Sequence, residues 1–352
     1  MILTVNGGSS TIKCALFGDD DGPALLARLE TPLPDGGQAA AVAALLEWQS
    51  AQTPGARIHV VAHRVVHGGE TFDRPCRVTP AVLAALDDMV SLAPNHLPEE
   101  IAFIRACMRA IPDAAHVACF DTAFHRTLPD VARVLPLPGV RRFGFHGLSY
   151  TYLLSELERI AGASAAGGRV ILAHLGSGAS LAAVRNGQSI DTTMGMTPAG
   201  GLVMSTRSGD LDPGAVAHVM RAQGWTPDDL DAAVTKRSGL LGISGRTGDM
   251  QQLLALEPHD PAAALAVRVF CYQTAKWMGA LAIALGGLET IVFSGGIGEH
   301  AATVRARIAT ALSCLGVIMD EGENARVEKQ PGRFVDLEQR RAHGVAGAVL
   351  SS

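Results

Sequence analysis

The stretch ILTVNGGSSTIKCALF, residues 2–17, holds two apolar segments on either side of a short turn. Residues 2–5 and 12–17 are mostly apolar, whereas residues 6–11 are asparagine, glycine, serine and threonine. Glycine and asparagine tolerate positive φ and hydroxyl side chains bond nearby backbone, so the pattern predicts two antiparallel strands joined by a tight turn. Glycines also let a ligand approach the backbone closely, and Lys13 follows within reach of the turn. Two interpretations stay open at this point, an ordinary hairpin turn and a phosphate-binding loop.

The same strand-turn-strand pattern recurs in the middle of the chain. Residues 169–187, RVILAHLGSGASLAAVRNG, again place a turn of small residues between two apolar segments. A third apolar segment, residues 290–294, leads into Gly295-Gly296-Ile297-Gly298 and then into a helical pattern. Backbone N–H groups at the start of a helix favour anions. The repetition favours the phosphate-binding interpretation and predicts two similar domains that grip a phosphorylated ligand from both sides.

Composition limits the classes of function. With 352 residues, 48% of them hydrophobic, the chain is long enough for two globular domains. The net charge of −5 argues against a nucleic-acid partner, and the sequence contains no secretory signal and no apolar segment of bilayer length. The six cysteines lack metal-ligand spacing. We therefore expect a cytoplasmic protein that binds small molecules, without nucleic-acid or membrane partners.

Alternating strand and helix patterns predict an α/β protein. Helical patterns cover residues 80–92, 98–111, 148–161, 213–224, 261–286 and 301–314. We expect a first domain over residues 1–121, to which the extreme C-terminus could return, and a second over 122–340.

Several charged or titratable residues lie at the ends of apolar segments, where burial without a purpose is costly. They are Arg64, Asp121, His146, His174 and Arg207. Each taken alone fits a structural salt bridge or a buried histidine. Together they supply cations and orienting groups of the kind that phosphoryl transfer requires.

The motifs that contain these residues resemble those of acetate and propionate kinases. They are VNGGSSTIK, AHRVVHGGE, LAPNH, FDTAFH, FGFHG, HLGSGASL, TMGMTPAGGL, STRSGDLDP, KRSGLLGISG and FSGGIGE, in this order along the chain. The resemblance implies two duplicated actin/hexokinase-like (ribonuclease H-like) domains around a central cleft. It also implies Mg²⁺-dependent transfer (possible also with Mn²⁺) of a phosphoryl group from ATP to acetate, by a homodimer that binds nucleotide and dimerises through the second domain.

The resemblance also assigns roles to individual residues. Asn6 is implied as a metal ligand, and Asp121, His146 and Arg207 as catalytic residues. The acid would bind to Arg64, in a pocket formed by Val66, Asn95, Phe145 and Pro198. Nucleotide contacts fall on Lys13, His174, Leu175, Gly176, Ser177, Gly178, Asp249, Met250, Gln251, Gly296, Ile297, Gly298, Glu299 and His300.

The chain departs from the family pattern in several places. Asn95 stands where the family has leucine, and Tyr150 stands where it has histidine. Ser177 and His300 each replace an asparagine, and Gln251 replaces an arginine. Glu338 is the nearest candidate for a C-terminal metal-binding glutamate that the family carries. Two alternatives follow: a kinase for propionate or a more polar small acid, and a non-catalytic relative that binds a nucleotide or metabolite.

Overall fold

The structure, a computed structural model, describes residues 1–7, 11–18, 22, 24–35, 37–329 and 346–349. The chain divides into two compact units, Met1–Ala123 and Phe124–Ser352. The boundary between them lies in a short 3₁₀ helix, Ala123–Thr127, that follows the last strand of the first unit.

The first unit contains strands β1 (Ile2–Gly7), β2 (Thr11–Gly18), β3 (Ala24–Pro32), β4 (Val60–Val65), β5 (Cys76–Arg77) and β6 (Ala115–Phe120), with helices α1 (Gly37–Gln52), α2 (Pro80–Asp88) and α3 (Leu97–Ala110). Its sheet has the order β3-β2-β1-β4-β6-β5. The β1–β2 and β2–β3 pairs are antiparallel, whereas β1–β4 and β4–β6 are parallel. The antiparallel β1–β2 pair confirms the hairpin predicted from residues 2–17.

The strands of the second unit are β7 (Arg169–Leu175), β8 (Ala179–Arg185), β9 (Gln188–Thr192), β10 (Thr290–Ser294) and β11 (Ala346–Val349). Its helices are α4 (Asp130–Arg133), α5 (Gly147–Ala161), α6 (Ala163–Gly167), α7 (Pro213–Gln223), α8 (Pro227–Lys236), α9 (Gly239–Ser244), α10 (Met250–Leu256), α11 (Pro261–Leu285), α12 (Gly295–His300), α13 (Ala302–Ala311) and α14 (Glu321–Lys329).

The two sheets share one topology. Read from the outer antiparallel strand, β9-β8-β7-β10-β11 has the same order and the same strand directions as β3-β2-β1-β4-β6. The first sheet adds only the two-residue edge strand β5. This correspondence confirms the duplicated α/β fold that the repeated strand-turn-strand motif predicts.

The last described strand differs from one sequence expectation. Residues 346–349 do not return to the first domain, because they pair in parallel with β10 in the second sheet. Pairing there satisfies the backbone N–H and C=O groups along one side of β10, which would otherwise lie unpaired.

Helix starts follow from local sequence. Four helices begin with a capping side chain followed by proline, a residue whose fixed φ suits the first helical turn. These pairs are Thr79-Pro80, Asp212-Pro213, Thr226-Pro227 and Asp260-Pro261. The predicted helices at residues 148–161, 213–224 and 261–286 correspond to α5, α7 and α11.

Each unit has an apolar core against its own sheet. In the first, side chains of β1 and β2 pack with α1 and α3; in the second, α5 packs with β7, β8 and β10. Helix α11 packs against β7, β8 and β9. Within the described part of the chain, we find no helix whose length and apolar character would let it cross a bilayer.

Candidate active site

In the first unit, the candidate residues gather at the carboxyl ends of neighbouring strands. Asn6 lies near the end of β1, Arg64 near the end of β4, and Asp121 directly after β6. Because β1, β4 and β6 run parallel, their carboxyl ends meet at one edge of the sheet. The three side chains therefore come together although they are far apart in sequence.

Arg64 is the centre of this cluster. Its Nη2 donates to Oδ2 of Asp121 at 2.7 Å, its Nε lies 3.2 Å from the same oxygen, and its Nη1 donates to Oδ1 of Asn6 at 3.1 Å. The Asp121 side chain is only 3% exposed, compared with 28% for Arg64. Burial disfavours the charge of Arg64, but attraction and hydrogen bonding from Asp121 outweigh it and raise the pKa of the guanidinium. Arg64 is thus a partly exposed cation that is held in place by the buried carboxylate of Asp121.

A second carboxylate, Glu100, lies close to this cluster and was not among the sequence candidates. Glu100 is 4% exposed, and its Oε2 accepts a hydrogen bond of 2.9 Å from the backbone N–H of Val66. Burial raises its pKa to about 7; Asp121 and Glu99 act in the same direction, whereas Arg64 and the Val66 hydrogen bond oppose it. The signal that could have revealed Glu100 is its position on the apolar face of α3, beside Leu97, Ile101 and Ile104.

The raised pKa of Glu100 predicts a pH dependence of stability. Because the folded state keeps the Glu100 proton up to about pH 7 while the unfolded chain loses it near its ordinary value of 4.5, the free energy of unfolding falls as pH rises through this interval. We expect Glu100→Gln to gain stability relative to the wild type over the interval, by up to about 3 kcal/mol. Glutamine can still accept the Val66 N–H.

Parallel urea denaturation of both proteins between pH 5 and pH 8 measures this effect. The difference between them cancels the contributions of titrating groups that do not interact with Glu100. A difference that stays constant with pH would contradict the prediction.

The remaining first-unit candidates have simpler surroundings. Lys13, on β2, forms an exposed ion pair of 3.0 Å with Glu30 on β3. Exposed pairs of this kind contribute little, so Lys13 can exchange partners readily. Val66 is buried, and Asn95 is half-buried just before α3. Residues 8–10 of the first turn lie outside the described residues.

In the second unit, the candidates surround the turn between β7 and β8. The ring centroids of His146 and His174 are 4.3 Å apart, and Ser149 Oγ lies 3.0 Å from Nδ1 of His174. A Cβ added to Gly178 in this turn would lie 3.3 Å from Nε2 of His146 and 3.4 Å from Nη1 of Arg207. The bare glycine therefore leaves room for both polar groups at the same turn.

Tight glycine packing positions Arg207. Gly239 has φ +64°, and a Cβ there would lie 2.6 Å from the carbonyl oxygen of Arg207 and 2.2 Å from that of Met204. Only glycine fits this approach without strain. The Arg207 side chain donates from Nη1 to the carbonyl oxygen of Pro198 at 3.2 Å, so Pro198 and Arg207 are neighbours.

The proposed nucleotide residues lie on three adjacent segments. Strands β7 and β10 are parallel neighbours, which places Gly176 close to the backbone nitrogen of Gly296. The Ser205 N–H donates to the Ser177 carbonyl at 3.1 Å, and Ser205 in turn packs against Gly248 directly before Asp249. Topology thus brings the 174–178, 249–251 and 296–300 segments near one another.

These nucleotide candidates differ in exposure and existing contacts. Exposed members are Ser177, Asp249, Gln251, Gly296 and His300, whereas Leu175, Met250, Ile297, Gly298 and Glu299 are buried. Asp249 caps α10 by accepting the Gln252 N–H, and Glu299 accepts the Gly295 N–H. The buried residues therefore support the backbone that carries the exposed ones, and do not themselves lie at the surface. Glu338 lies outside the described residues.

Comparisons with known proteins identify the family of this chain. A sequence model of the acetokinase family matches residues 27–345. The chain belongs to the acetokinase family.

Relatives in the acetokinase family match over nearly the full chain. Acetate kinase of Rhodopseudomonas palustris (strain TIE-1) is 42% identical over an alignment of 359 positions, gaps included. The alignment covers 93% of this chain and 90% of that protein. Acetate kinase of Deinococcus deserti is 42% identical over an alignment of 362 positions, which covers 94% of this chain and 90% of that protein.

Solved acetokinase structures share the fold. The crystal structure of Porphyromonas gingivalis acetate kinase matches with a TM-score of 0.87 and 32% identity, covering 99% of this chain and 95% of that one. A propionate kinase from Francisella tularensis matches with a TM-score of 0.90 and 32% identity, covering 100% and 96%.

Proposed function

We propose that this chain catalyses reversible transfer of the γ-phosphoryl group of ATP to acetate, giving ADP and acetyl phosphate. Membership of the acetokinase family supports the reaction class, and the observation that carries the proposal is the pair of positioned arginines. Arg64 is held by Asp121 and Asn6 in the first unit, and Arg207 is held beside His146 in the second. A protein that only bound nucleotide would have no need of both.

The chemical step requires no proton transfer by the protein. An acetate oxygen attacks the γ-phosphorus, a new P–O bond forms, and the bond from the γ-phosphorus to the β–γ bridging oxygen breaks as ADP leaves. Because acetate is already ionised at neutral pH, no general base is needed. Asp121 can therefore remain the hydrogen-bonded partner of Arg64 throughout the reaction.

The proposed roles follow from charge. Arg64 binds the acetate carboxylate and Arg207 the migrating phosphoryl group, since an arginine fork suits both anions. His146 donates from its ring to the equatorial phosphoryl oxygens, where negative charge is spread in the transition state. Val66, Asn95, Phe145 and Pro198 would form the walls around the acetate methyl group.

ATP is the proposed donor, with its nucleotide on the segments around residues 174–178, 249–251 and 296–300 and with Lys13 near its phosphates. Glycines in two of these segments expose backbone N–H groups, which favour anionic phosphates. Ser177, Gln251 and His300 replace the usual family residues on the nucleoside side. Because these substitutions could change which phosphoryl donor binds, GTP and pyrophosphate are compared with ATP in the assay below.

The residues present fit a magnesium ion that arrives with the nucleotide. Among the described residues, no group of three or more His, Cys, Asp or Glu side chains could hold a metal. Mg²⁺ commonly binds through substrate phosphates and one or two protein oxygens. The Asn6 amide oxygen has two acceptor sites, so it can keep its Arg64 hydrogen bond and also face the ion. When bound, Mg²⁺ (or Mn²⁺) neutralises charge on the β- and γ-phosphates.

A hydroxylamine trap for acyl phosphate tests the proposal directly. Purified protein is incubated with Mg²⁺, hydroxylamine, one donor (ATP, GTP or pyrophosphate) and one acid (acetate, propionate or glycolate). We expect the largest kcat/KM with ATP and acetate. Absence of hydroxamate with every pair, alongside measurable nucleotide binding, would support the non-catalytic alternative instead.

Propionate is the main alternative acid. The match to the structure of a Francisella tularensis propionate kinase is the reason to test it. A higher kcat/KM for propionate than for acetate in the same assay would assign the chain to that substrate. A homodimer and a cytoplasmic location stay predictions.

Asn95 tests whether the acid pocket is polar. An amide that faced a substrate methyl group without a partner would cost about 1–3 kcal/mol, so we expect Asn95 to face away from the acid. Asn95→Leu should then leave the ratio of kcat/KM for acetate and glycolate unchanged to within about 3-fold. Both acids are measured with the wild type and the variant. A shift of about 10-fold or more towards acetate would instead place the Asn95 amide against the substrate.

A further inference from the structure

We propose that Tyr150 is a positioning residue which, through Ser180, fixes the ring nitrogen of His146 that carries the proton. This inference deepens the proposed function, on which the role of His146 rests. Tyr150 stands where the acetokinase family has a histidine, and no sequence motif indicates Ser180 as its partner.

Three side chains form a continuous hydrogen-bonded series. The Tyr150 hydroxyl bonds the Ser180 hydroxyl, and Ser180 Oγ lies 2.8 Å from Nδ1 of His146. Tyr150 and Ser180 are both 0% exposed. Bulk water therefore does not compete for the Ser180 hydroxyl, which can donate to either of these two neighbours.

Each hydroxyl has one proton, so a series in which Ser180 donates to one of these two neighbours has two possible directions. If Tyr150 donates to Ser180, then Ser180 donates to Nδ1 of His146, and a neutral ring carries its proton on Nε2. In the reverse direction Nδ1 carries the proton and Nε2 presents a lone pair. The hydrogen bond at one ring nitrogen thus decides what the other nitrogen can do.

The position of Nε2 selects the first direction. Nε2 lies at the Gly178 turn together with Nη1 of Arg207. A lone pair at that place would repel the anionic phosphoryl group that Arg207 attracts, whereas an N–H would donate to it. The tyrosine hydroxyl therefore supports the tautomer that the proposed reaction uses.

Neighbouring side chains hold Tyr150 and His146 in place. The Tyr150 ring packs at 5.7 Å from the Phe124 ring and at 5.8 Å, edge-on, from the His125 ring. Nε2 of His125 lies 3.0 Å from the carbonyl oxygen of Phe145. His146 follows directly with φ 60°, a left-handed conformation that non-glycine residues rarely adopt. The ring of His146 and the backbone carbonyl of the residue before it are therefore held by groups that also contact Tyr150.

Tyr150→Phe tests the inference because it removes one oxygen atom and leaves the ring in place. In the hydroxamate assay with ATP and acetate, we expect kcat to fall about 10-fold while KM for acetate stays within about 2-fold. Ser180→Ala should lower kcat at least as much. Tyr152→Phe, on the same helix but 47% exposed, is the matched control and should keep the wild-type kcat.

The double variant separates a relay from independent structural effects. If Tyr150 acts through Ser180, adding Tyr150→Phe to Ser180→Ala should lower kcat by less than about 2-fold. If the two effects multiply, Tyr150 acts independently of Ser180 and the proposal is wrong. A wild-type kcat in Tyr150→Phe, or an effect on KM alone, overturns it as well.

Nitrogen-15 NMR of histidine-labelled protein gives a readout that does not depend on activity. The chain has twelve histidines, and His146→Gln assigns the His146 signals. We expect the wild-type ring to be protonated at Nε2 and the Tyr150→Phe ring to show a mixture of tautomers. An unchanged tautomer in Tyr150→Phe overturns the inference. If the wild type forms no hydroxamate, the proposed function fails while this measurement still decides the role of Tyr150.

Discussion

Replacement of Arg207 with alanine is expected to lower kcat for acetyl phosphate formation at least about 100-fold, because charge on the transferring phosphoryl group loses its guanidinium partner. The side chain lies beside Nε2 of His146 at the Gly178 turn, and Gly239 packs against its backbone. Steady-state kinetics in the hydroxamate assay measure the effect.

Stability should change little in the Arg207 variant. The hydrogen bond to the Pro198 carbonyl is worth about 1 kcal/mol, which corresponds to a shift of roughly 2–4 °C in Tm. Arg237→Ala is the control, since Arg237 is exposed and lies over the Trp225 ring at 5.7 Å. If kcat of Arg207→Ala stays within 10-fold of the wild type while Arg237→Ala is unaffected, Arg207 does not stabilise the transferring phosphoryl group in the transition state.

Replacement of Arg64 with alanine is expected to reduce both activity and stability. We expect kcat/KM for acetate to fall at least about 100-fold, because the carboxylate loses its cationic partner. The free energy of unfolding should also fall by about 3–5 kcal/mol, since Asp121, 3% exposed, is left buried and unpaired. Arg57→Ala is the matched control, because its pair with Asp113 is 74% and 80% exposed and should contribute less than about 1 kcal/mol.

A double variant separates the two effects of Arg64. Arg64→Ala combined with Asp121→Asn removes the buried charge along with its partner, so urea denaturation should show most of the lost stability restored. Activity should stay low, because the acid still lacks its cation. Recovery of activity in the double variant would mean that Arg64 serves only to neutralise Asp121.

Much of the fold could be predicted because its signals are local. The turn at residues 6–11 and the Gly176–Gly178 turn each separate two apolar segments, and the structure forms the antiparallel pairs β1–β2 and β7–β8 there. The identity of the sheet topologies in the two units follows from this repeated plan. The C-terminal strand at 346–349 was harder to place, because its partner, β10, lies more than fifty residues earlier in the chain.

The candidate site was predictable only as a set of residue types. Motifs marked Arg64, Asp121, His146 and Arg207, but their partners depend on which strands are neighbours. The Arg64–Asp121 pair joins residues 57 positions apart, and because of it we expect Arg64→Ala to lower stability as well as activity.

The sequence by itself determined the strand-turn-strand plan, its duplication and the cations and histidines at strand ends, because glycine conformation and apolar periodicity act over a few neighbouring residues. Only the tertiary structure decided that Glu100 is buried beside Arg64, and that Tyr150 reaches His146 through Ser180. Burial and long-range hydrogen bonds arise when distant segments pack together. The charge of Glu100 and the tautomer of His146 are therefore properties of the packed fold and not of any one segment.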